Sequence, residues 1–183
     1  MDEKILVNGL VKDKNVGAIT STSIRVAKNM INKIDFDNAK LIVEYGPGKG
    51  EITRHILSQM REDAALFVFE TNKNFIHELV KINDKRLIII NSDAENAKMI
   101  LKNRYKIEQT DYIISTIPLT FLDRRKRRRI ISRSYTLLKE KGKFITYQYS
   151  WLNYNLIKER FSESRIKVIL ISILPVFIFV GVK

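Results

Sequence analysis

Short apolar runs rich in β-branched residues alternate along the chain with segments whose apolar positions recur every three or four residues. The run Leu41-Ile-Val ends at the acidic Glu44 and passes into Gly46, Gly48 and Gly50. Glu51 to Met60 then places Ile52, Ile56 and Met60 at helical spacing. This predicts a strand, a tight glycine loop and a helix. Leu66–Glu70, Leu87–Asn91, Asp111–Ser115 and Lys143–Gln148 read as four further strands, each but the last followed by a helical pattern before the next. Phe75, Ile76, Leu79 and Val80 mark one such helix, and Ala97, Ile100 and Leu101 another. Phe121–Leu138 reads as a third, with Ile130, Ile131, Ser134, Tyr135 and Leu138 on one face, and Trp151–Phe161 also looks helical. Ile166–Ser172 and Val176–Lys183 close the chain as two strands, both expected to be buried, around Leu174-Pro175.

Strands linked by helices run parallel, and strands linked by a short turn run antiparallel. The pattern therefore predicts an α/β fold: a doubly wound, mostly parallel seven-stranded Rossmann-like sheet with an antiparallel C-terminal hairpin. With 183 residues and 45% hydrophobic content, one domain accounts for the chain. Upstream, Ile5, Leu6, Leu10 and Val11 alternate with Lys4, Lys12 and Lys14. Residues 1–15 are an amphipathic helix on a membrane surface, or a frayed end or helix packed on the body. The hydroxyl run Thr20-Ser-Thr-Ser23 caps the helix carrying Ile24, Ala27, Met30, Ile31 and Ile34, and Thr20 and Ser21 also offer a polar rim to a ligand.

Ligands of doubly wound sheets bind at the carboxyl ends of the strands. In this chain those ends carry chemistry. The loop at Gly46, Gly48 and Gly50 lets a ligand lie against bare backbone, facing the N–H groups of a helix start. Its spacing, G-x-G-x-G, differs from the dinucleotide fingerprint. Glu70 ends the second strand, where a carboxylate accepts hydrogen bonds from two ribose hydroxyls. Ser92-Asp93-Ala94 ends the third; Asp93 is either an acceptor for an adenine amino group or the cap of the next helix. Ser115-Thr116-Ile117-Pro118-Leu119 leaves the fourth.

Charge changes the picture of the partner. The net charge is +13, and Arg124-Arg-Lys-Arg-Arg-Arg129 sits just beyond the Thr116–Leu119 loop. Six consecutive cations cover every face of a helix and repel one another, so a polyanion is expected at the rim of the site: an anionic membrane surface, or RNA. The absence of cysteine rules out disulfides and thiolate zinc sites, and no metal is expected. The N-terminus lacks the layout of a signal peptide, and Val168–Val182 is too short and interrupted for a membrane span, so a cytoplasmic location with peripheral membrane association is expected. His55 and His77 fall on helices and receive no role.

Glu44-Tyr-Gly-Pro-Gly-Lys-Gly50 resembles the cofactor loop of class I S-adenosylmethionine-dependent methyltransferases, and the resemblance spans essentially the whole chain. It implies S-adenosyl-L-methionine as cofactor. Gly46, Gly48 and Gly50 would cradle it and Glu44 would place its amino group; Glu70 would hold the ribose and Asp93 the adenine. Thr20, Ser21, Ser92, Ala94 and Ser115 would complete the cofactor site. Val16-Gly-Ala-Ile-Thr-Ser-Thr, Ser115-Thr-Ile-Pro-Leu119 and Tyr147-Gln-Tyr149 are similar to segments of bacterial phospholipid N-methyltransferases. The chain departs from these at Thr20-Ser-Thr, which lacks their proline, and at Lys49. That resemblance implies a phosphatidylethanolamine-type lipid substrate, with Tyr149, Thr116 and Pro118 as catalytic residues. The alternative is an rRNA adenine dimethyltransferase-like enzyme, whose N-L/I-P-Y/F loop is matched with Thr116 for the asparagine and Leu119 for the aromatic. A non-catalytic cofactor-binding module is a third reading.

Overall fold

The computed structural model describes the backbone of residues 16–171 and 174–183, and side chains from residue 24 to 170 and 175 to 183. The elements are α1 (Val16–Ile31), β1 (Leu41–Tyr45), α2 (Glu51–Leu57), β2 (Ala65–Glu70), α3 (Lys73–Val80), β3 (Leu87–Asn91), α4 (Ala97–Tyr105), β4 (Thr110–Ser115), α5 (Arg124–Leu137), β5 (Leu138–Gln148), α6 (Tyr154–Arg160), β6 (Glu163–Ile171) and β7 (Leu174–Val182). Single 3₁₀ turns precede α4, α5 and α6 at Ala94–Asn96, Leu119–Phe121 and Trp151–Asn153.

Seven strands form one sheet in the order β3-β2-β1-β4-β5-β7-β6. The first five strands pair in parallel, and β7 pairs antiparallel to both β5 and β6. This is the expected doubly wound sheet with its C-terminal hairpin. Alternation along the strands divides the core. Ile42, Leu66, Val68, Ile114 and Ile178 pack under α1, α2 and α3, whereas Val43, Phe67, Phe69, Ile113 and Phe179 pack under α4, α5 and α6. Successive side chains on a strand point to opposite faces, so strands covered on both sides read as continuous apolar runs.

Four sequence expectations change. The backbone is already helical at Val16, so Thr20–Ser23 lie within α1 and do not cap it; the side chains of Thr20 and Ser21, and all of residues 1–15, lie outside the described residues. The expected Phe121–Leu138 helix starts at Arg124, because the Asp123 carboxylate accepts from the Lys126 N–H at 2.9 Å and caps it there. It stops at Leu137, where Leu138 turns extended into β5. The Trp151–Phe161 segment divides into a 3₁₀ turn and α6. Of the two closing strands β7 is buried, but β6 is the sheet edge and leaves Ile166, Val168 and Leu170 exposed. An edge strand has no neighbour to cover its outer side chains.

Candidate active site

A cleft of about 310 Å³ opens at the carboxyl ends of the parallel strands. Gly46, Gly48, Glu70, Ser92, Asp93, Ala94, Thr116 and Pro118 line it, together with Ile117, Phe75 and Lys126. The sheet brings these loops together because β3, β2, β1 and β4 are adjacent and parallel, so their C-terminal turns emerge side by side.

The glycine loop divides its tasks. All three glycines have positive φ (68°, 58° and 83°), a region that L side chains avoid. A Cβ on Gly46 would lie 2.9 Å from Ile117 Cγ1, and one on Gly50 would meet Ile82 and Leu79 at 2.8 and 2.9 Å. Gly50 thus serves the packing of the loop on α3 and does not line the cleft. A Cβ on Gly48 would meet nothing within 4 Å, so this glycine presents bare backbone to the open space.

Glu70 is nearly buried and organises the floor. Its Oε2 accepts from the Gly48 N–H at 3.2 Å, and its Oε1 accepts from the N–H groups of Thr71 and Asn72, both at 2.8 Å. The carboxylate so placed links the glycine loop to the β2 turn and borders the cleft. Asp93 is the expected cap, and it also borders the cleft. Its Oδ1 accepts from the Glu95 N–H at 2.9 Å, capping the 3₁₀ turn, and the residue lines the cleft. Its Oδ2 also accepts from Lys126 Nζ at 2.5 Å, a contact between α5 and the β3 turn. Burial pulls the Asp93 carboxyl up, but the Lys126 ammonium and the Glu95 N–H outweigh it and hold it below the usual range.

Glu44 lies under the loop, fully buried, and does not line the cleft. Its Oε2 accepts from the Thr53 hydroxyl at 2.7 Å, while its Oε1 has no partner. Burial raises its pKa to about 7, against the Thr53 hydrogen bond, which lowers it, and with a smaller push from the nearby Glu70 charge. Ser115 is also buried, its Oγ unpartnered at the end of β4.

The Thr116–Leu119 segment is firmly tied. The Thr116 hydroxyl donates to the Gly46 carbonyl, so it braces the glycine loop. The Pro118 carbonyl accepts from the Phe121 N–H at 3.1 Å. Gln148, at the end of β5, clamps the loop from below: its Nε2 donates to the Ile117 carbonyl and its Oε1 accepts from the Leu119 N–H, both at 2.9 Å. Sequence reasoning missed Gln148 and Lys126; a polar residue in an apolar strand and a cation in a basic run were the available signals. Leu119 is fully buried. Tyr149 stands outside the lining residues, half exposed and edge-on to Tyr147 with ring centroids 6.0 Å apart. Burial raises the phenol pKa of Tyr149, so at neutral pH it is a hydrogen-bond donor and not an anionic base.

The basic run finds more internal partners than its composition suggests. Besides Lys126, Arg129 pairs with Glu95 at 2.7 Å, and Arg127 donates to Asn153 Oδ1 at 2.7 Å. Self-repulsion along α5 is therefore relieved in part within the protein.

These residues fit S-adenosylmethionine. The bare backbone at Gly48, the carboxylate of Glu70 beside it, and the buried unpartnered oxygen of Glu44 match a ligand with a ribose diol and an ammonium group.

Sheet order and cleft position define the fold of S-adenosylmethionine-dependent methyltransferases. The structure of 1,6-didemethyltoxoflavin-N1-methyltransferase from Burkholderia thailandensis, which holds S-adenosylhomocysteine, superposes with a TM-score of 0.69 at 11% identity, over 99% of this chain and 88% of that one. The spermidine synthase of Thermotoga maritima matches with a TM-score of 0.60 at 19% identity over 80% of this chain; the chain spans 53% of that protein's length, about half. In sequence, the chain is 24% identical over 152 residues to the ornithine lipid N-methyltransferase of Singulisphaera acidiphila, covering 81% of this chain and 78% of the relative. No protein-family model matches the chain.

Proposed function

We propose that this protein is an S-adenosylmethionine-dependent methyltransferase that N-methylates the headgroup amine of a membrane lipid of the phosphatidylethanolamine type. The observation that carries the reading is the strand-end cleft, where Gly48 backbone and the Glu70 carboxylate meet above the unpartnered Glu44 oxygen. When bound, the cofactor supplies an electrophilic methyl group on a sulfonium. Glu44, from beneath the glycine loop, would hold its ammonium end, Glu70 its ribose and Asp93 its adenine.

The headgroup amine needs a free lone pair to take up that methyl group, so it would enter the cleft with its extra proton already given up to water. The chain contributes position: Gln148 fixes the Thr116–Leu119 loop, whose Pro118 borders the cleft where the amine would enter. Tyr149 at the rim offers a hydroxyl donor to a headgroup phosphate.

A lipid is favoured over an RNA base by two features of that loop. Leu119, which stands where an aromatic would stack on an extruded base, is fully buried, and the Pro118 carbonyl already accepts from Phe121. The sequence similarity to an enzyme named for a lipid amine supports the same class. Incubation with methyl-labelled cofactor and, in separate arms, vesicles of phosphatidylethanolamine, vesicles of ornithine lipid, and total RNA tests it. Label is expected on lipid. Label on RNA alone would establish the adenine-modifying alternative, and cofactor binding with no label in any arm the non-catalytic one.

A further inference from the structure

Among the described residues, several large apolar side chains stand in solvent, and four of them share one end and one face of the fold. Trp151 and Leu152 are 58% and 59% exposed, and Val168 and Leu170 are 52% and 70% exposed. Trp151 and Leu152 form the 3₁₀ turn just past the carboxyl end of β5, so they sit at the same end as the cleft. Val168 pairs with Phe177, which in turn pairs with Gln148, the last residue of β5. Leu170 pairs with Pro175 and so projects beyond the end of β5. Exposure along this face of β6 rises from Ile166 (39%) through Val168 to Leu170, toward the cleft end. Phe177 belongs to the core layer containing Tyr154 and Leu156, which places the outer face of β6 on the same side of the sheet as α6 and the turn before it.

Charge frames this ridge. Arg127 of α5 reaches Asn153 in the Trp151 turn, which brings the first turns of α5 against it. On those turns Arg124, Arg125 and Arg128 are exposed, and among the described residues none of the three has a side-chain partner, unlike their neighbours Lys126, Arg127 and Arg129. Phe121, also exposed, sits between these arginines and the Pro118 border of the cleft.

We infer that the ridge of Trp151, Leu152, Val168 and Leu170 is a membrane-docking surface that inserts into an anionic bilayer while Arg124, Arg125 and Arg128 bind its headgroups. Exposed apolar side chains at one end and on one face of the sheet, rimmed by cations without side-chain partners among the described residues, fit an interface that is apolar inside and anionic at its edge. A tryptophan is suited to that boundary, since its ring is apolar and its N–H is polar. Ridge and cleft lie at the same end of the sheet, so docking there would bring the cleft close to the headgroup amines. This inference rests on the lipid reading above and adds which surface meets the lipid and how.

Trp151 is the chain's one tryptophan, so it reports on its own ridge. The full chain is titrated with vesicles of equal parts phosphatidylglycerol and phosphatidylcholine, and with phosphatidylcholine alone, with and without bromine on the acyl chains. The expected result is a blue-shifted emission, quenched by the brominated lipid, with anionic vesicles only. The double variant Leu152→Asp, Leu170→Asp, altered at exposed positions, should lose about tenfold or more in vesicle affinity. The triple variant Arg124→Gln, Arg125→Gln, Arg128→Gln should lose the salt-sensitive part. Vesicle binding with unshifted, unquenched emission would overturn the inference, as would a blue shift on adding RNA or on self-association without lipid.

Turnover separates this inference from the substrate reading. With phosphatidylethanolamine in detergent micelles the double variant should match the wild type, and on anionic vesicles carrying the same lipid it should fall behind. Equal turnover on vesicles would refute the docking ridge while leaving the substrate standing. Quenched Trp151 with no lipid methylated in either setting would keep the ridge and refute the substrate.

Discussion

Lys126 Nζ lies 2.5 Å from Asp93 Oδ2, joining the first turn of α5 to the turn that follows β3 at the border of the cleft. A cation of the basic run is thereby turned inward, and the carboxylate assigned to adenine is held ionised. Both side chains are partly exposed, so the pair itself contributes at most about 1 kcal/mol to stability. Lys126→Met should leave the thermal midpoint nearly unchanged. Asp93→Ala removes the acceptor and the cap together, and should weaken cofactor binding by about 1–2 kcal/mol by calorimetry. Asp93→Asn, which keeps an acceptor oxygen, should lose less; an equal loss would detach Asp93 from the cofactor.

Glu44 is predicted to couple cofactor binding to pH. Its pKa is raised from 4.5 to about 7 in the fold, so the unfolded chain ionises it first as pH rises. The stability associated with its neutral form is fully present below pH 4.5 and is lost as pH rises through about 7, roughly 3 kcal/mol in all. The ligand-free Glu44→Gln variant should match the wild type at pH 4.5 and exceed it at pH 8 in chemical unfolding. A cofactor ammonium beside Glu44 favours the ionised form, so wild-type affinity should rise with pH up to about 7 with release of a proton, and the glutamine variant should show a flat, weaker profile.

Gly48 and Gly50 should fail in different assays. Alanine at either must adopt positive φ, at about 1–2 kcal/mol. At Gly50 the new methyl also meets Leu79 and Ile82, so Gly50→Ala should unfold at clearly lower denaturant. At Gly48 the methyl enters open space, so Gly48→Ala should lose only the backbone cost in stability, less than Gly50→Ala, yet lose most cofactor affinity. The reverse ranking would place the ligand elsewhere.

Gln148 is predicted to act on turnover without touching the cofactor. Gln148→Leu leaves the Leu119 N–H and the Ile117 carbonyl without their side-chain partners in a buried setting, at about 1–3 kcal/mol. Released from its clamp, the Thr116–Leu119 loop should lower kcat while the cofactor Kd stays constant. A change in Kd with kcat intact would mean that the clamp serves the glycine loop through Thr116 instead.

Much of this architecture is local and so was legible in the chain. Apolar runs such as Leu66–Glu70 and Leu87–Asn91 alternate with helical spacing, which is enough to predict a parallel sheet, its closing hairpin and the end at which a ligand binds. Gly46, Gly48, Glu70 and Asp93, which line the cleft, were legible because each lies at or just beyond the end of a strand and needs no knowledge of a neighbour. Tertiary structure decided what those residues touch. Lys126 meets Asp93 across 33 positions and Gln148 meets Leu119 across 29, and no periodicity encodes such distant pairs. Strand order also made β6 the edge: its apolar Ile166, Val168 and Leu170 are left exposed because hydrophobicity states what a side chain prefers to bury, while the number of neighbours that can bury it is set by the strand's place in the sheet.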